Sequence, residues 1–318
     1  MYNAELKEKF IRDNAGSISA EKIYLSTFEA IEPYEKSWGA DICTRSKEEL
    51  EPAIDQIVGL RVHSKWLRVR ILREYTDWCI VTGVPGARDD MRQVDGMGLG
   101  KIRSQMLRSP NHLQFYLDQI CEPESEQTTD NIYRCFYWMA YSGMEEDDIL
   151  TVKCSEVNFE TMTIQHNDRE YDIYREALPA FRNCVNLTSF VYKHPNYPPD
   201  KKVVRMRAAG DTVVRGIRSV PTIRAMRTEL SRRSVKCLEN GATELKMSYY
   251  RVWLSGLFYR TKEREDLGFP VSFSGAADEF MQGKTYKLDS GRNTAEAKKR
   301  AVERGFLQDY HRWRAAYN

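Results

Sequence analysis

Seven consecutive residues, Cys135-Phe136-Tyr137-Trp138-Met139-Ala140-Tyr141, are apolar or aromatic, and the run stops at Ser142-Gly143-Met144 before four carboxylates, Glu145, Glu146, Asp147 and Asp148. A helix that is apolar all round has to be enclosed by other elements. The run is far short of the roughly 20 residues that span a bilayer, so it is a core helix segment around which a domain must close. The carboxylates after the turn suit the first turn of a second, short helix reaching Leu150, where they face the positive end of the macrodipole. A divalent-metal site is the other reading of that acidic run.

Upstream, apolar spacing predicts only helices. Ile23, Tyr24, Phe28 and Ile31 recur at helical intervals from Ser19 to about Tyr34, behind an imperfect capping box at Ser19. A second helix is expected from Lys47 to Val58. A third runs from about Ser64 to Thr82, with Trp66, Leu67, Ile71, Tyr75 and Trp78 on one side and Lys65, Arg68 and Arg73 around it. Gly83-Val84-Pro85-Gly86 and Asp95 to Lys101 are rich in turn formers and read as an interdomain linker ending near Ser109-Pro110. The Gly96-Met97-Gly98-Leu99-Gly100-Lys101 segment is not a phosphate-binding loop, because Ile102 replaces the required Ser or Thr and no apolar strand precedes it.

Downstream the pattern becomes mixed. Met162 to Gln165 and Tyr171 to Tyr174 flank His166-Asn167-Asp168 as a hairpin, and a second strand pair is expected from Val203 to Arg207 and Thr212 to Ile217. Pro221 opens a long basic helix that Gly241 closes. Helices from Met247 to about Lys262 and from Ala295 to Ala316 end the chain.

The net charge of +2 conceals a local imbalance. Residues 1–200 carry 23 Lys and Arg against 33 Asp and Glu, residues 201–264 carry 16 against 5, and residues 265–318 carry 9 against 8. Counterion release depends on the charges at the interface rather than on the total, so the middle segment points to a polyanion, with nucleic acid first. At 42% hydrophobic and 30% charged residues the composition excludes a disordered chain. Seven cysteines without a Cys-x-x-Cys pair, mostly among apolar neighbours, fit buried reduced thiols, and the five histidines have no metal-ligand spacing. No signal region or bilayer-length apolar run is present, so a cytoplasmic, nucleoid-associated protein with no membrane contact is expected.

The stretch from Tyr133 to Leu150 resembles a motif of the phage integrases and other tyrosine recombinases. There an apolar helix ends at a Thr-Gly-Leu-Arg-x-x-Glu-Leu turn whose arginine binds the scissile phosphate. Ser142, Gly143 and Met144 stand at the first three positions, Asp148 at the acidic one, and Ile149 and Leu150 at the apolar pair; Glu145 stands in place of the arginine. A carboxylate there repels the charge that grows on a phosphate in the transition state. The family also uses a hairpin lysine, a His-x-x-Arg box, a later His or Trp, and a nucleophilic tyrosine. The hairpin position falls at Asp168 and Arg169, the box at Ser248-Tyr249-Tyr250-Arg251, and the tyrosine at Tyr286, while only Phe273 or Ser274 lies near the His or Trp position.

The resemblance implies a mainly α chain with an α+β C-terminal domain, built as a two-domain DNA clamp. Its parts would be a helical core-binding domain over residues 1–84, a linker over 85–109 and an integrase catalytic-like domain over 110–318. It implies double-stranded DNA as partner, no cofactor or metal, and no strand cleavage, with Glu145, Arg169, Ser248, Arg251 and Tyr286 as vestiges. The cations expected on DNA are Lys65, Arg68, Arg70 and Arg73 from the first domain, and Arg224, Arg227, Arg232, Arg233, Lys236 and Arg251 from the second, some of them paired instead with Glu229 or Glu239. Within the superfamily the chain is similar to the recombinase-like repressors that hold SPβ-type phages in lysogeny. The C-terminal aromatic stripe Phe306, Tyr310, Trp313 and Tyr317 has the pattern of core residues, while the resemblance implies a terminal helix that docks on a neighbouring protomer, so self-association is the other expectation. The alternatives are an active integrase in which Arg134, Arg169 or Arg175 supplies the missing cation, and an accessory protein that contacts a recombinase rather than DNA.

Overall fold

The computed structural model describes residues 1–57, 62–94, 99–121, 129–193, 202–217, 219–282 and 295–317. The chain forms two compact units, residues 1–103 with 272–318, and residues 104–271.

The first unit is helical. It begins with α1 (Ala4–Asn14), which the sequence pattern did not announce, followed by α2 (Ile18–Trp38), α3 (Lys47–Ile57), α4 (Val62–Val81) and most of α5 (Leu99–Gln105). The N-cap of α2 is Ser17 rather than Ser19: its Oγ accepts from the Ala20 N–H at 3.2 Å. Gly39, at φ +63, closes the helix in the left-handed conformation. Phe10, Phe28 and Tyr75 form the aromatic centre, with ring centroids 5.0 to 6.0 Å apart. Trp66, expected on the buried side of α4, is 52% exposed instead, so the buried stripe runs through Val69, Leu72, Tyr75 and Cys79.

The second unit is mixed. Its helices are α6 (Pro110–Ile120), α7 (Asp130–Tyr141), the short α8 (Glu146–Ile149), α9 (Leu178–Asn186), α10 (Ile223–Glu239) and α11 (Tyr249–Asp266). One antiparallel sheet joins β1 (Val157–Asn158), β2 (Thr163–His166) and β3 (Arg169–Asp172); a second pairs β4 (Ser189–Lys193) with β5 (Lys202–Met206). As its composition required, α7 lies in the middle, with every side chain from Cys135 to Tyr141 at most 1% exposed and with α9 and α11 packed against it. Gly256 on α11 permits that contact, since a Cβ there would overlap the Tyr141 carbonyl.

The turn between β2 and β3 is Asn167-Asp168, both at positive φ (48° and 58°), the backbone of a two-residue hairpin. The expected partner of β5, residues 212–217, is not a strand. Val213 donates to the Val152 carbonyl at 2.9 Å, and buried Arg207 donates to the carbonyls of Cys184, Leu187 and Arg215. For α10 the cap is Thr222, one residue after Pro221, and Gly241 follows its end at φ +69.

The chain returns to the first unit through α12 (Ser274–Gln282) and α13 (Ala295–Tyr317). This corrects the expectation that residues 110–318 form one domain after a linker at 85–109. The aromatic stripe has the core role usual for such a pattern. Phe306, Tyr310 and Trp313 are at most 2% exposed, α13 packs on α12 and α4, and the Ala316 carbonyl accepts from Arg103 Nε at 2.9 Å, so those rings are core of their own unit. The fold class is mainly α with an α+β second unit.

Candidate nucleic-acid interface

The turn after α7 is built on Gly143 at φ +103, where the Arg260 guanidinium lies 2.7 Å from the place a Cβ would take. Three side chains of α11 tie this turn down. Tyr249 Oη donates to the Met144 carbonyl at 2.7 Å, Trp253 Nε1 donates to the Gly143 carbonyl at 3.2 Å, and Arg260 donates to the Tyr141 carbonyl. Burial, reinforced by the nearby carboxylates led by Glu146, pushes the Tyr249 phenol well above its ordinary pKa.

Within this frame Glu145 is the exposed N-cap of α8, and Glu146 turns inward at 8% exposure. Glu146 accepts from Arg227 of α10, at 2.8 Å from Nε and again from Nη2. Ser248 is the N-cap of α11, and its hydroxyl makes no capping bond. One turn on, half-buried Arg251 donates to the Lys246 carbonyl, and burial pulls its guanidinium below the ordinary arginine pKa. Glu146, Arg227, Lys246, Ser248, Tyr250 and Arg251 all line one cavity of about 520 Å³ in the second unit. Two of the expected vestigial positions, Ser248 and Arg251, thus meet in a single cleft, next to the turn that carries Glu145.

The hairpin is anchored beside α8. Asn167 Nδ2 donates to Asp148 Oδ1 at 3.0 Å, and His166 lies 2.9 Å from Glu156 Oε2 and 3.2 Å from Thr151 Oγ1. Arg169 is the exposed first residue of β3. Tyr286 lies outside the described residues. The carboxylates of the acidic run tie down their surroundings: Glu146 pairs with Arg227, and Asp148 accepts a hydrogen bond from the neutral Asn167 amide. Among the described residues no group of three or more His, Cys, Asp or Glu could hold a metal ion.

The cations expected on DNA divide by what they already touch. Arg73 donates to the carbonyls of Met91 and Val94 at 3.3 and 2.7 Å, and Arg68 to the Ile57 carbonyl, so both staple the backbone of the first unit. Arg233 is 19% exposed, bonded to Asp130 Oδ2 at 2.8 Å and Glu229 Oε1 at 2.7 Å, and stacked on Tyr133 at 4.5 Å. These three guanidiniums are engaged by acceptors of their own unit in the structure, so any phosphate contact they make would use their remaining N–H groups. The Lys65 side chain lies outside the described residues. Arg70, Arg232 and Arg227 are 63 to 65% exposed and each pairs with one carboxylate, Glu74, Glu229 and Glu146 respectively. Arg224 and Lys236 are exposed on α10. Arg224, Arg232 and Lys236 therefore lie on the side of α10 opposite the buried Met226, Leu230 and Ser234, whereas Arg227 lies at the edge of that buried face.

Sequence reasoning missed Glu146, Lys246 and the place of Arg227 in the cleft. A signal existed for the first: Glu146 lies three residues before buried Ile149, on the same side of α8. Arg134, one of the arginines considered as a replacement cation, is fully buried and held by Asp118 Oδ1 at 2.7 Å.

Comparison with known proteins gives three results. Residues 1–81 match the family described as MrpR, N-terminal core-binding domain. Among solved structures, the chain is similar to the Tn1549 transposon integrase (residues 82–397 of that protein, in complex with circular intermediate DNA), with 11% identity, 94% of this chain and 98% of that chain covered, and a TM-score of 0.34. No curated protein matches the chain.

Proposed function

We propose that this chain is a sequence-selective, double-stranded DNA-binding protein of the tyrosine recombinase kind that does not cut DNA, and that it acts as a prophage repressor. The observation that carries the proposal is the chemistry of the cleft. Ser248 and Arg251 line it together with an inward carboxylate, Glu146, while Glu145 caps α8 at the position where the recombinase motif has an arginine. Phosphoryl transfer needs paired cations on the pentavalent phosphate and an acid for the leaving oxygen. With a carboxylate at the arginine position and a serine at the histidine position, the motif keeps one cation, Arg251, where the chemistry needs a pair, and no acid; removing groups that act only in the transition state costs orders of magnitude in rate.

Binding asks for less, because phosphate contacts position a duplex without chemistry. The exposed strip of Arg224, Arg232 and Lys236 on α10 meets that need, and the match of residues 1–81 to a core-binding domain family supports a DNA-directed first unit. The regulatory role rests on the resemblance to the recombinase-like lysogeny repressors. A cytoplasmic, nucleoid-associated location follows from the same reading, and among the described residues no helix is long and apolar enough to cross a membrane.

One observation favours a second reading, an active integrase with a rearranged site. Arg227, from α10, shares the cleft with Arg251 and is a candidate replacement for the missing cation. A suicide substrate, a nicked duplex that traps the covalent intermediate, separates the two. The repressor reading expects salt-dependent retardation of duplex DNA and no adduct. An adduct lost on Tyr286→Phe would establish the integrase, and absence of retardation at low salt would point to an accessory protein instead.

A further inference from the structure

We propose that the cleft of the second unit is a binding site for a nucleoside monophosphate. The inference stands on the cavity alone and does not require the DNA-binding reading.

A volume of about 520 Å³ is far more than a backbone phosphate needs and falls within the roughly 300–1,000 Å³ of sites that enclose small molecules. The walls are of two kinds. Tyr137, Leu230 and Met247, all at most 4% exposed, form an apolar floor, and Tyr250, stacked on Trp253 at 6.0 Å and 22°, adds a rigid aromatic side. The charged part consists of Arg227, Lys246 and Arg251 against the single carboxylate Glu146. A dianionic phosphate monoester carrying a flat ring matches both: the ring lies against Tyr250 and the floor, and the phosphate meets the cations.

The Glu146–Arg227 pair gives the site its selectivity. Arg227 is 63% exposed in its side chain, whereas Glu146 is 9% exposed, so the arginine is the partner free to turn toward an incoming anion. A strong bidentate acceptor such as phosphate displaces one carboxylate oxygen, while a weak monoanion does not. Arg251 is half-buried and already held on the Lys246 carbonyl, so it loses less freedom on binding than a fully exposed arginine would.

The same chemistry occurs in a free nucleotide and in the 5′-phosphorylated end of a DNA strand. Isothermal titration of the full chain with adenosine 5′-monophosphate, with inorganic phosphate and adenosine as separate halves, tests the site. The nucleotide is expected to bind at least roughly tenfold more tightly than either half, Arg251→Ala and Tyr250→Ala each to weaken it about tenfold, and Glu146→Gln to tighten it. Circular dichroism confirms that each variant is folded. Displacement of the nucleotide by a 5′-phosphorylated but not a 5′-hydroxyl oligonucleotide would assign a strand end as the source; failure of both to displace it would assign a free nucleotide.

The proposal is overturned if none of the four common ribonucleoside monophosphates saturates the chain at millimolar concentration, or if inorganic phosphate alone binds as tightly. Loss of nucleotide binding with intact DNA retardation defeats this inference alone. Nucleotide binding without retardation defeats the DNA reading alone.

Discussion

Two ion pairs, one in each unit, show how the same chemistry serves different ends. In the first unit Lys7 and Glu35 are both fully buried. The Ile42 N–H donates to Glu35 at 3.0 Å, Asp41 accepts from Tyr75 Oη at 2.9 Å and from the Cys43 N–H at 3.0 Å, and the Lys7 ammonium lies 5.3 Å from the Phe28 ring centre. Burial pushes the Glu35 carboxyl up, and Lys7 opposes that push. In the second unit the Glu146 side chain is 9% exposed, against none for Glu35, and Arg227 is mostly in water. A charge pair closed on all sides can only hold a fold together, whereas a pair with one wet partner can be exchanged for another ligand. Polarity alone does not mark a functional site; an exit for one partner does.

That contrast can be broken by mutation, and the largest effect should come from the closed pair. Lys7→Met leaves the Glu35 carboxylate buried without its counter-ion and is expected to cost about 3–5 kcal/mol in urea unfolding. A loss below 1 kcal/mol would show that the pair is no more structural than the one in the cleft.

Next comes Glu229 on α10, whose carboxyl is held down at about 2 by Arg232 first and then, against desolvation, by Arg233. A depressed carboxylate pKa means stability that is present above the ordinary value near 4.5 and lost as pH falls through about 2. The wild-type chain should therefore lose stability between those two values, and Glu229→Gln should flatten that part of the pH profile. At pH 7 the variant should be weaker by roughly 1–2 kcal/mol once solvent screening is allowed for.

Glu146→Gln should cost less, about 1 kcal/mol or below, because the arginine it releases is already hydrated. The same substitution should strengthen DNA retardation, since it removes a negative charge and frees Arg227. Weaker retardation would mean that Glu146 orients Arg227 rather than restraining it. Smallest in stability, within about 0.5 kcal/mol, are Arg224→Ala and Lys236→Ala on the exposed strip. Each should lower the slope of log affinity against log salt by about 0.9 if it contacts phosphate, and leave it unchanged if it does not.

Where local chemistry dictates structure, the sequence was readable. The apolar run of α7, the Asn167-Asp168 hairpin, and the Pro221 and Gly241 limits of α10 are decided by side-chain hydrophobicity or by backbone φ. Helices α1, α6 and α9 were not foreseen, because their apolar faces, such as Phe10 with Ile11 or Phe181 with Cys184, are short and only make sense against a partner. In the candidate site Ser248 and Arg251 were placed by motif spacing, and Glu146, Lys246 and Arg227 by the fold alone. The internal bonds of Arg68, Arg73 and Arg233 were likewise invisible in the sequence. A guanidinium reads the same in sequence whether its acceptors are phosphates or carbonyls of its own chain, and three-dimensional proximity chooses between them.

By itself, then, the sequence determined a buried central helix, a basic stretch between residues 201 and 264, and the absence of an arginine at position 145. These are properties of single residues and their near neighbours, and no packing arrangement can alter them. Only the tertiary structure decided that residues 272–318 complete the first unit and that Arg227 reaches Glu146 across 81 positions of chain. Such contacts depend on which surfaces bury each other, a choice made by the whole set of apolar faces at once and written in no local segment.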